Sequence, residues 1–232
     1  MSGLLFDSPE VEAIAVEGEA AAYPVHRIFC VGRNYAAHAA EMGVEVDREA
    51  PFYFSKSAEA TIASGATIPY PPGTENYHFE MELVLAIGKP VFRISVEDAF
   101  SAVYGYGCGL DMTRRDLQLA ARAKGRPWDL GKDFEQSAVF APLVKADAVE
   151  AIGQQRIHLE VNGETKQDAH LSDLIWKVDE IVSDLSKFYH LKPGDVIMTG
   201  TPAGVDAVVA GDVITGGIDG LGSIALNIGP AE

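Results

Sequence analysis

An uninterrupted apolar run, 83–87, follows two glutamates at alternate positions. A run this short predicts a buried strand. Side chains alternate along a strand, so Glu80 and Glu82 share one face and their carboxylates converge. Buried carboxylates are costly unless a positive charge neutralises them, and a hard divalent cation is the natural partner. The alternative is a strand end with a solvated acidic face.

A second apolar stretch, 25–31, predicts a strand that leads at Gly32 into a short helix. Asn34 is the expected N-cap of this helix and Gly43 its C-terminal stop. His38 and Glu41 stand three residues apart, so their side chains lie on one helical face. The carboxylate can orient the imidazole, or the two can share a water as a general base pair. The alternative is an ordinary surface pair.

Glycine alternates with larger residues over 104–111, which predicts a strand that another backbone or a ligand approaches closely. Residues 113–116 have the spacing of a capping box and predict the start of a helix. Arg115 and Gln118 share a face of that helix, which places a cation and an amide beside the aspartate that ends the strand. Lys132 is a candidate electrophile for a developing oxyanion. For these three side chains the alternative is solvated surface.

The remaining patterns predict scaffold, apart from one loop. An aromatic strand spans 51–56, and residues 157–167 predict a hairpin with a type I′ turn at Asn162 and Gly163. Apolar residues over 172–189 have the spacing of one buried helical stripe. Residues 199–205 form a tight loop whose hydroxyl and glycine N–H groups can bind a carboxylate.

The amino-acid composition restricts the number of domains and the classes of partner that the chain can have. The 232 residues are 47% hydrophobic and 22% charged, which suits one domain, here 23–232, preceded by a short N-terminal arm or strand, 1–22. Net charge is −16 with only 18 Lys and Arg, which argues against nucleic-acid and membrane partners. An acidic protein can still bind an anionic substrate where local cations and a metal reverse the field in one cleft.

Cysteine usage and the N-terminus predict a reducing compartment. Cys30 and Cys108 are far apart and have no metal-ligand spacing, so we expect small core side chains rather than a disulfide or a zinc site. Residues 1–19 lack a basic region followed by a long apolar run, and no stretch reaches about 18 uninterrupted apolar residues. We therefore expect a cytoplasmic protein.

Taken in order, the motifs resemble the fumarylacetoacetate hydrolase family, and more closely its acylpyruvase and fumarylpyruvate hydrolase branch. The resemblance covers the chain from about Tyr23 to Ile228. It is carried by an ordered series: Cys30-Val31-Gly32-Arg33-Asn34-Tyr35 with His38 and Glu41, His78-Phe79-Glu80-Met81-Glu82-Leu83, Leu110-Asp111-Met112-Thr113 with Arg115, Asp116 and Gln118, Pro127-Trp128 with Lys132, Val161-Asn162-Gly163, Gly194-Asp195 and Thr199-Gly200-Thr201-Pro202.

The resemblance implies an α+β, mainly β fold, a mixed β-sandwich roll with a few short helices, assembled as a homodimer. It implies a divalent metal, Mg²⁺ or Mn²⁺, with Ca²⁺ as an alternative. By matched position, the metal ligands are Glu80, Glu82 and Asp111; the catalytic residues are His38, Glu41 and Lys132; the substrate-binding residues are Arg33, Arg115, Gln118 and Thr201. The His38 segment is expected to order over bound substrate. Phe79 departs from the pattern, because many relatives have a second histidine there.

The implied activity is hydrolysis of the carbon-carbon bond of 3-acylpyruvates, first of all fumarylpyruvate, as in gentisate breakdown. Arg33, Lys56 and Arg126 are the candidate cations for the distal carboxylate of that substrate. The alternative is oxaloacetate decarboxylation at the same metal site. Two further hypotheses are an isomerase or hydratase of 2-oxo acids, which does not need His38, and a catalytically silent binding protein, against which the intact triad of acids and the His38 pair argue.

Overall fold

The computed structural model describes residues 3, 5–7, 9–43 and 48–231. Residues 1, 2, 4 and 8 of the predicted arm, and 44–47 and 232 of the predicted domain, lie outside the described residues. The strands are β1 Ala13–Ile14, β2 Tyr23–Pro24, β3 Arg27–Gly32, β4 Phe52–Lys56, β5 Thr61–Ala63, β6 Thr67–Tyr70, β7 Tyr77–His78, β8 Met81–Ile87, β9 Val103–Asp111, β10 Thr113–Arg114, β11 Ala138–Phe140, β12 Val144–Lys145, β13 Arg156–Val161, β14 Glu164–His170, β15 Asp195–Met198, β16 Ala207–Val208, β17 Val213–Ile218 and β18 Ser223–Ala231. The α-helices are α1 Ala36–Glu41, α2 Arg115–Ala123, α3 Asp129–Lys132 and α4 Val178–Leu185.

Two mixed sheets form the body of the fold. An eight-stranded sheet has the order β4-β3-β15-β8-β9-β11-β5, with β12 also paired to β9. A five-stranded sheet has the order β14-β13-β17-β18-β6. Most neighbours are antiparallel, but β15 with β3, β11 with β5, and β18 with β6 run parallel. This mainly β architecture with few short helices confirms the expected fold class.

Strand β8 lies in the middle of the eight-stranded sheet and is buried along its whole length. Met81, Leu83 and Leu85 join the larger apolar cluster, which includes residues of the five-stranded sheet. Val84 and Ala86 point the other way, into a second cluster with Ile14 and Tyr23 of the N-terminal segment. Burial on both faces explains why this strand is a continuous apolar run rather than an alternating one.

The predicted hairpin is confirmed in detail. Val161 of β13 pairs with Glu164 of β14, so Asn162 and Gly163 form a two-residue turn with φ of 52° and 79°. Positive φ at both positions is what a type I′ turn requires, and Asn followed by Gly accepts it at the lowest steric cost.

Three local predictions were wrong in their details. Asn34 does not cap α1, which begins after Tyr35, because its side chain is buried against the backbone of the 176 and 199 segments instead. Thr113 does not cap α2, since its hydroxyl donates to the Asp111 carbonyl. The helix predicted over 172–189 is α-helical only from Val178 to Leu185, and Phe188 is 69% exposed.

Among the described residues, no helix is both long and apolar enough to cross a membrane. Cys30 and Cys108 are buried and unpaired, as the sequence predicts.

A partly buried ion pair joins β3 to β15 at the end of these strands that lies away from Glu80 and Glu82. Arg27 donates from Nε and Nη2 to the two carboxylate oxygens of Asp195 at 2.8 and 2.6 Å. The Asp195 side chain is fully buried and also accepts from the Lys192 N–H at 2.9 Å. Arg156 makes the same two-point contact with Asp168, but this pair lies in solvent at the rim of the β13–β14 hairpin.

The two pairs allow a matched stability test. Asp195→Asn replaces an acceptor by a donor in a buried site, so we expect it to lower the free energy of unfolding by about 1–3 kcal/mol. Asp168→Asn should change it little, because exposed ion pairs are screened by water. Urea unfolding of both variants and the parent protein measures the difference. Equal effects of the two substitutions would contradict the structural role given to Asp195.

Candidate active site

Three carboxylates converge where β8 begins and β9 ends. The antiparallel register places Met81 opposite Leu110, and the Asp111 N–H donates to the Glu80 carbonyl at 2.9 Å. Glu80, Glu82 and Asp111 each offer an oxygen, and these oxygens all lie within 4.8 Å of one another. All three side chains are buried. We call this group the acid triad.

Three cationic side chains from three different elements surround the acid triad. Lys132, at the end of α3, donates to Glu80 Oε2 at 2.8 Å and to Asp111 Oδ2 at 2.6 Å. Arg115 Nη2, from the first turn of α2, lies 2.5 Å from Glu80 Oε1. Lys56 Nζ, at the end of β4, lies 2.9 Å from Asp111 Oδ1. The site therefore buries three negative and three positive side chains together.

The charges shift the pKa values of the acids in opposite directions. Burial opposes ionisation of Glu80, but the charges of Lys132 and Arg115 outweigh it and hold the Glu80 pKa below its usual range. Burial, and then repulsion from Asp111 and Glu80, raises the pKa of Glu82 well above its usual range. Burial disfavours the Lys132 ammonium, yet attraction by Asp111 and Glu80 leaves the Lys132 pKa above its usual value. An additional cation near Glu82 would favour its ionised form.

The loop after β15 closes over the acid triad. Gly200 has φ of +98°, and its N–H donates to Glu82 Oε2 at 2.7 Å. A side chain at this position would meet the Asn34 Cβ at 2.7 Å, so glycine is required both for the conformation and for the close approach. Thr201, the next residue, is buried and lines the cavity above the acids.

Gln167 connects the acidic strand to this loop. Its Oε1 accepts from the Met81 N–H at 3.0 Å, and its Nε2 donates to Thr201 Oγ1 and to the Pro202 carbonyl, both at 2.8 Å. The Gln167 side chain is fully buried. Because Thr201 Oγ1 already accepts from Gln167, the hydroxyl hydrogen of Thr201 is available to donate to a ligand.

Helix α1 carries the predicted dyad. His38 Nδ1 and Glu41 Oε2 lie 3.1 Å apart, with His38 buried and the Glu41 side chain 34% exposed. Glu41 also accepts from the Gly204 N–H at 3.2 and 3.3 Å. The pair thus links α1 to the same loop that carries Thr201. In the neutral tautomer that donates its Nδ1–H to Glu41, Nε2 of His38 is a hydrogen-bond acceptor.

These groups line one cavity that encloses about 30 Å³ and opens to solvent at its mouth. Its buried lining residues are His38, Glu80, Glu82, Arg115, Gln118, Lys132 and Thr201, and its partly exposed ones include Arg33, Met42, Arg122 and Trp128. The burial pattern distinguishes a floor around the acid triad from a mouth around the two arginines. Of the residues predicted for the site, only Asp111 and Glu41 are not cavity lining, and both contact residues that are.

The structure also identifies site residues that the sequence analysis missed. Arg122 lies on α2 at positions i+7 and i+4 from Arg115 and Gln118, so helical spacing was a usable signal. Gln167 had no such signal, because nothing in a hairpin strand marks one polar residue as buried. Lys56, considered from sequence only as a cation for the distal carboxylate, is instead buried against Asp111. Phe79, at the position that departs from the family pattern, is fully buried in the larger apolar cluster.

Comparisons with known proteins match this arrangement. The family described as fumarylacetoacetate (FAA) hydrolase C-terminal matches residues 27–228. The fumarylpyruvate hydrolase of Ralstonia sp. is 58% identical over 193 residues, covering 82% of this chain and 100% of that protein. A crystal structure of fumarylpyruvate hydrolase from Pseudomonas aeruginosa in complex with Mn²⁺ and pyruvate has a TM-score of 0.95 at 47% identity, covering 98% of this chain and 100% of that one.

A more distant relative bears a different name. The mitochondrial oxaloacetate tautomerase of Homo sapiens is 38% identical over 205 residues, covering 88% of this chain and 92% of that protein. The family match and these identities span nearly the whole chain, from the first strand of the eight-stranded sheet to the last strand of the five-stranded one. The chain therefore belongs to the fumarylacetoacetate hydrolase family.

Proposed function

We propose that this protein is a divalent-metal-dependent hydrolase that cleaves the carbon-carbon bond of 3-acylpyruvates. Fumarylpyruvate is the preferred substrate in this proposal. The observation that carries the proposal is the presence of the acid triad and the imidazole of His38 around one cavity. A relative with 58% identity is named fumarylpyruvate hydrolase, and the Pseudomonas aeruginosa structure with a TM-score of 0.95 is a complex with Mn²⁺ and pyruvate, which supports this assignment.

The acid triad fits a divalent metal by its chemistry and by its bonding. It offers only carboxylate oxygens, the ligands that Mg²⁺, Mn²⁺ and Ca²⁺ take. Asp111 Oδ1 accepts no hydrogen bond from the described residues, although Lys56 Nζ lies 2.9 Å away. Glu80, Glu82 and Asp111 would hold the ion, which when bound supplies Lewis acidity toward the oxo-acid oxygens and charge stabilisation for the enolate leaving group.

Four floor residues bind the oxo-acid end of the substrate in this proposal. Arg115 presents a guanidinium whose planar donors suit a carboxylate, and its Nη1 is held by Gln118 Oε1 at 2.5 Å. Thr201 donates its free hydroxyl hydrogen. Lys132 supplies positive charge to the oxygen that becomes negative during bond cleavage. Together these groups fix which end of the dicarbonyl faces the acid triad.

The dyad of His38 and Glu41 activates the attacking water. His38 Nε2 removes a proton from water while Glu41 holds the Nδ1–H and stabilises the imidazolium that forms. The hydroxide adds to C4, the acyl carbonyl carbon, to give a tetrahedral intermediate. Its collapse breaks the C3–C4 bond, forms the carboxylic acid, and leaves the electron pair on the pyruvate enolate. Protonation of C3 completes pyruvate, so one water is consumed for each pair of products.

Oxaloacetate chemistry is the second candidate function. Several relatives at 36–38% identity are named oxaloacetate tautomerases. Decarboxylation of oxaloacetate would use the same enolate stabilisation but would release CO₂ and require no attacking water, and tautomerisation would only move a proton. Both would use the acid triad. The His38 and Glu41 dyad favours hydrolysis over decarboxylation, because decarboxylation needs no general base to activate water, whereas the same base could also serve tautomerisation.

Assembly, location and pathway also stay proposals. We propose that the protein is a homodimer in the cytoplasm and acts in aromatic catabolism by the gentisate route. Each subunit would have an arm over 1–22 and a catalytic domain over 23–232, with Mg²⁺ or Mn²⁺ as its metal. The resemblance of the motifs supports the homodimer, the metal, the pathway and the catalytic domain, whereas the arm and the cytoplasmic location rest on composition and cysteine usage.

The function is tested by pyruvate release from fumarylpyruvate, acetylpyruvate and oxaloacetate, each with Mg²⁺ or Mn²⁺ and with chelator. We expect both acylpyruvates to turn over, fumarylpyruvate fastest, and chelation to abolish turnover until metal is restored. Pyruvate release from oxaloacetate alone would overturn the hydrolase proposal.

The dyad is tested by Glu41→Ala and His38→Ala. Because water activation by a general base contributes about 10²–10⁴-fold, we expect each variant to lose acylpyruvate hydrolysis by that order. Any oxaloacetate decarboxylation should be kept, since it needs no attacking water. Near-normal hydrolysis in His38→Ala would instead favour the isomerase or hydratase hypothesis.

The metal site is tested by Mn²⁺ binding, measured by calorimetry without substrate. Glu82→Gln and Asp111→Asn each remove one negative ligand, and we expect a loss of affinity of at least about tenfold for each. Glu59→Gln, at an exposed position, is the control and should bind normally. Unchanged affinity in both triad variants would place the metal elsewhere.

A further inference from the structure

Two arginines line the mouth of the cavity. Arg33 follows the end of β3 and Arg122 lies in the last turn of α2, and both are half-buried cavity-lining residues. Burial, and then the positive charge of Arg122, lower the pKa of Arg33. Two like charges held together in a partly buried site are unfavourable unless an anion binds between them.

Neither arginine pairs with a carboxylate within the described part of the chain. The Arg33 guanidinium stacks on the rings of Phe52 and Trp128, at 5.4 and 5.9 Å from their centroids. Arg122 donates from Nη1 to the Met42 carbonyl at 3.3 Å. Every floor cation, in contrast, contacts a carboxylate of the acid triad. The mouth therefore has two positive charges available for a ligand.

The Arg33 backbone is fixed in a conformation that non-glycine residues rarely adopt. Its φ is +59°, in the left-handed region. The next residue, Asn34, is locked by side-chain bonds to the Trp176 and Thr199 carbonyls at 3.0 and 2.8 Å and from the Trp176 N–H at 2.7 Å. Backbone strain that the surroundings impose is concentrated at functional sites. Here it directs the Arg33 side chain to the cavity.

An aromatic wall connects the floor to the mouth. Lys132 Nζ lies 5.0 Å from the Phe54 ring centroid, the Phe54 and Trp128 rings are 5.9 Å apart, and Trp128 contacts Arg33. A planar, unsaturated acyl chain can lie along such a wall, with one end at the acid triad and the other at the arginines.

Charge arithmetic assigns the arginines to the far end of the substrate. The floor has three carboxylates and three cations, which balance. A divalent metal would then match the two negative charges of a pyruvate enolate. Arg33 and Arg122 add two further positive charges that no carboxylate of the described residues pairs with, and a second carboxylate on the substrate would offset one of them.

We infer that Arg33 and Arg122 form a carboxylate-binding subsite at the cavity mouth that selects acylpyruvates whose acyl group ends in a carboxylate. The inference rests on the proposed function and adds Arg122 to its substrate contacts. It also decides among the distal cations considered from sequence. Lys56 is buried against Asp111, and Arg126 is exposed and outside the cavity lining.

The test compares two substrates that differ only at the far end. Fumarylpyruvate carries the distal carboxylate, and crotonylpyruvate has a methyl group in its place. We expect Arg122→Gln to lower kcat/KM for fumarylpyruvate by about 10- to 100-fold, which corresponds to the loss of one charge-assisted hydrogen bond. The variant should fold, because Arg122 is a partly exposed residue in the last turn of α2. For crotonylpyruvate the change should stay within about threefold. Arg33→Gln should shift the ratio in the same direction, and Arg126→Gln, the matched control, should leave it unchanged.

The results test the carboxylate-binding subsite independently of the proposed hydrolysis. An unchanged ratio in Arg122→Gln, or an equal loss for both substrates, would overturn the subsite while hydrolysis stands. If the parent protein hydrolyses neither substrate, the proposed function fails, and calorimetry with fumarate still decides the subsite. Weaker fumarate binding in Arg122→Gln than in Arg126→Gln supports it, and equal binding overturns it.

Discussion

The compensated burial of three carboxylates is the interaction on which the site depends. Glu80, Glu82 and Asp111 meet within 4.8 Å at the junction of two central strands, where burial costs several kcal/mol for each unpaired ion. Each compensating cation comes from a different element, Lys56 from a strand and Arg115 and Lys132 from two short helices. The acids are therefore tolerated only when the sheet and both helices have assembled around them.

The rest of the floor is held by buried polar groups that bond to backbone and to one another. Gln167 joins the acidic strand to the Thr201 loop, and Asn34 joins the start of α1 to the same loop from the other side. Gly200 brings an N–H to Glu82. Such fully bonded buried side chains specify one arrangement, because any shift leaves a polar group unsatisfied. The floor is consequently preorganised before a ligand binds.

The mouth of the cavity has the opposite character. Helix α1 presents Glu41 to solvent and touches the loop through weak contacts to the Gly204 N–H. Arg33 and Arg122 are half-buried and carry charge that no described carboxylate offsets. This division lets a common oxo-acid chemistry reside in the floor while the mouth determines which acyl group is accepted. It is consistent with a family in which relatives of similar fold are named for different reactions on related acids.

The sequence by itself determined the features that depend on neighbours within a few residues. Alternation placed Glu80 and Glu82 on one face, helical spacing paired His38 with Glu41, and the Asn-Gly turn set the hairpin. The resemblance of the ordered motifs then indicated the fold and the acid triad. The cap prediction at Asn34 failed because carbonyl partners distant in sequence were available. The one at Thr113 failed because its hydroxyl bonds to the Asp111 carbonyl two residues earlier.

Only the tertiary structure decided which cations are buried and which remain open to a ligand. Lys56, Arg115 and Lys132 look in sequence like surface residues, and their partners lie 55, 35 and 21 or more positions away. Gln167 reaches 86 positions back to Met81. Periodicity records which face of an element a side chain occupies, but not what that face packs against. The distinction between a neutralised floor and an open, positive mouth therefore arises from packing between elements that are distant along the chain.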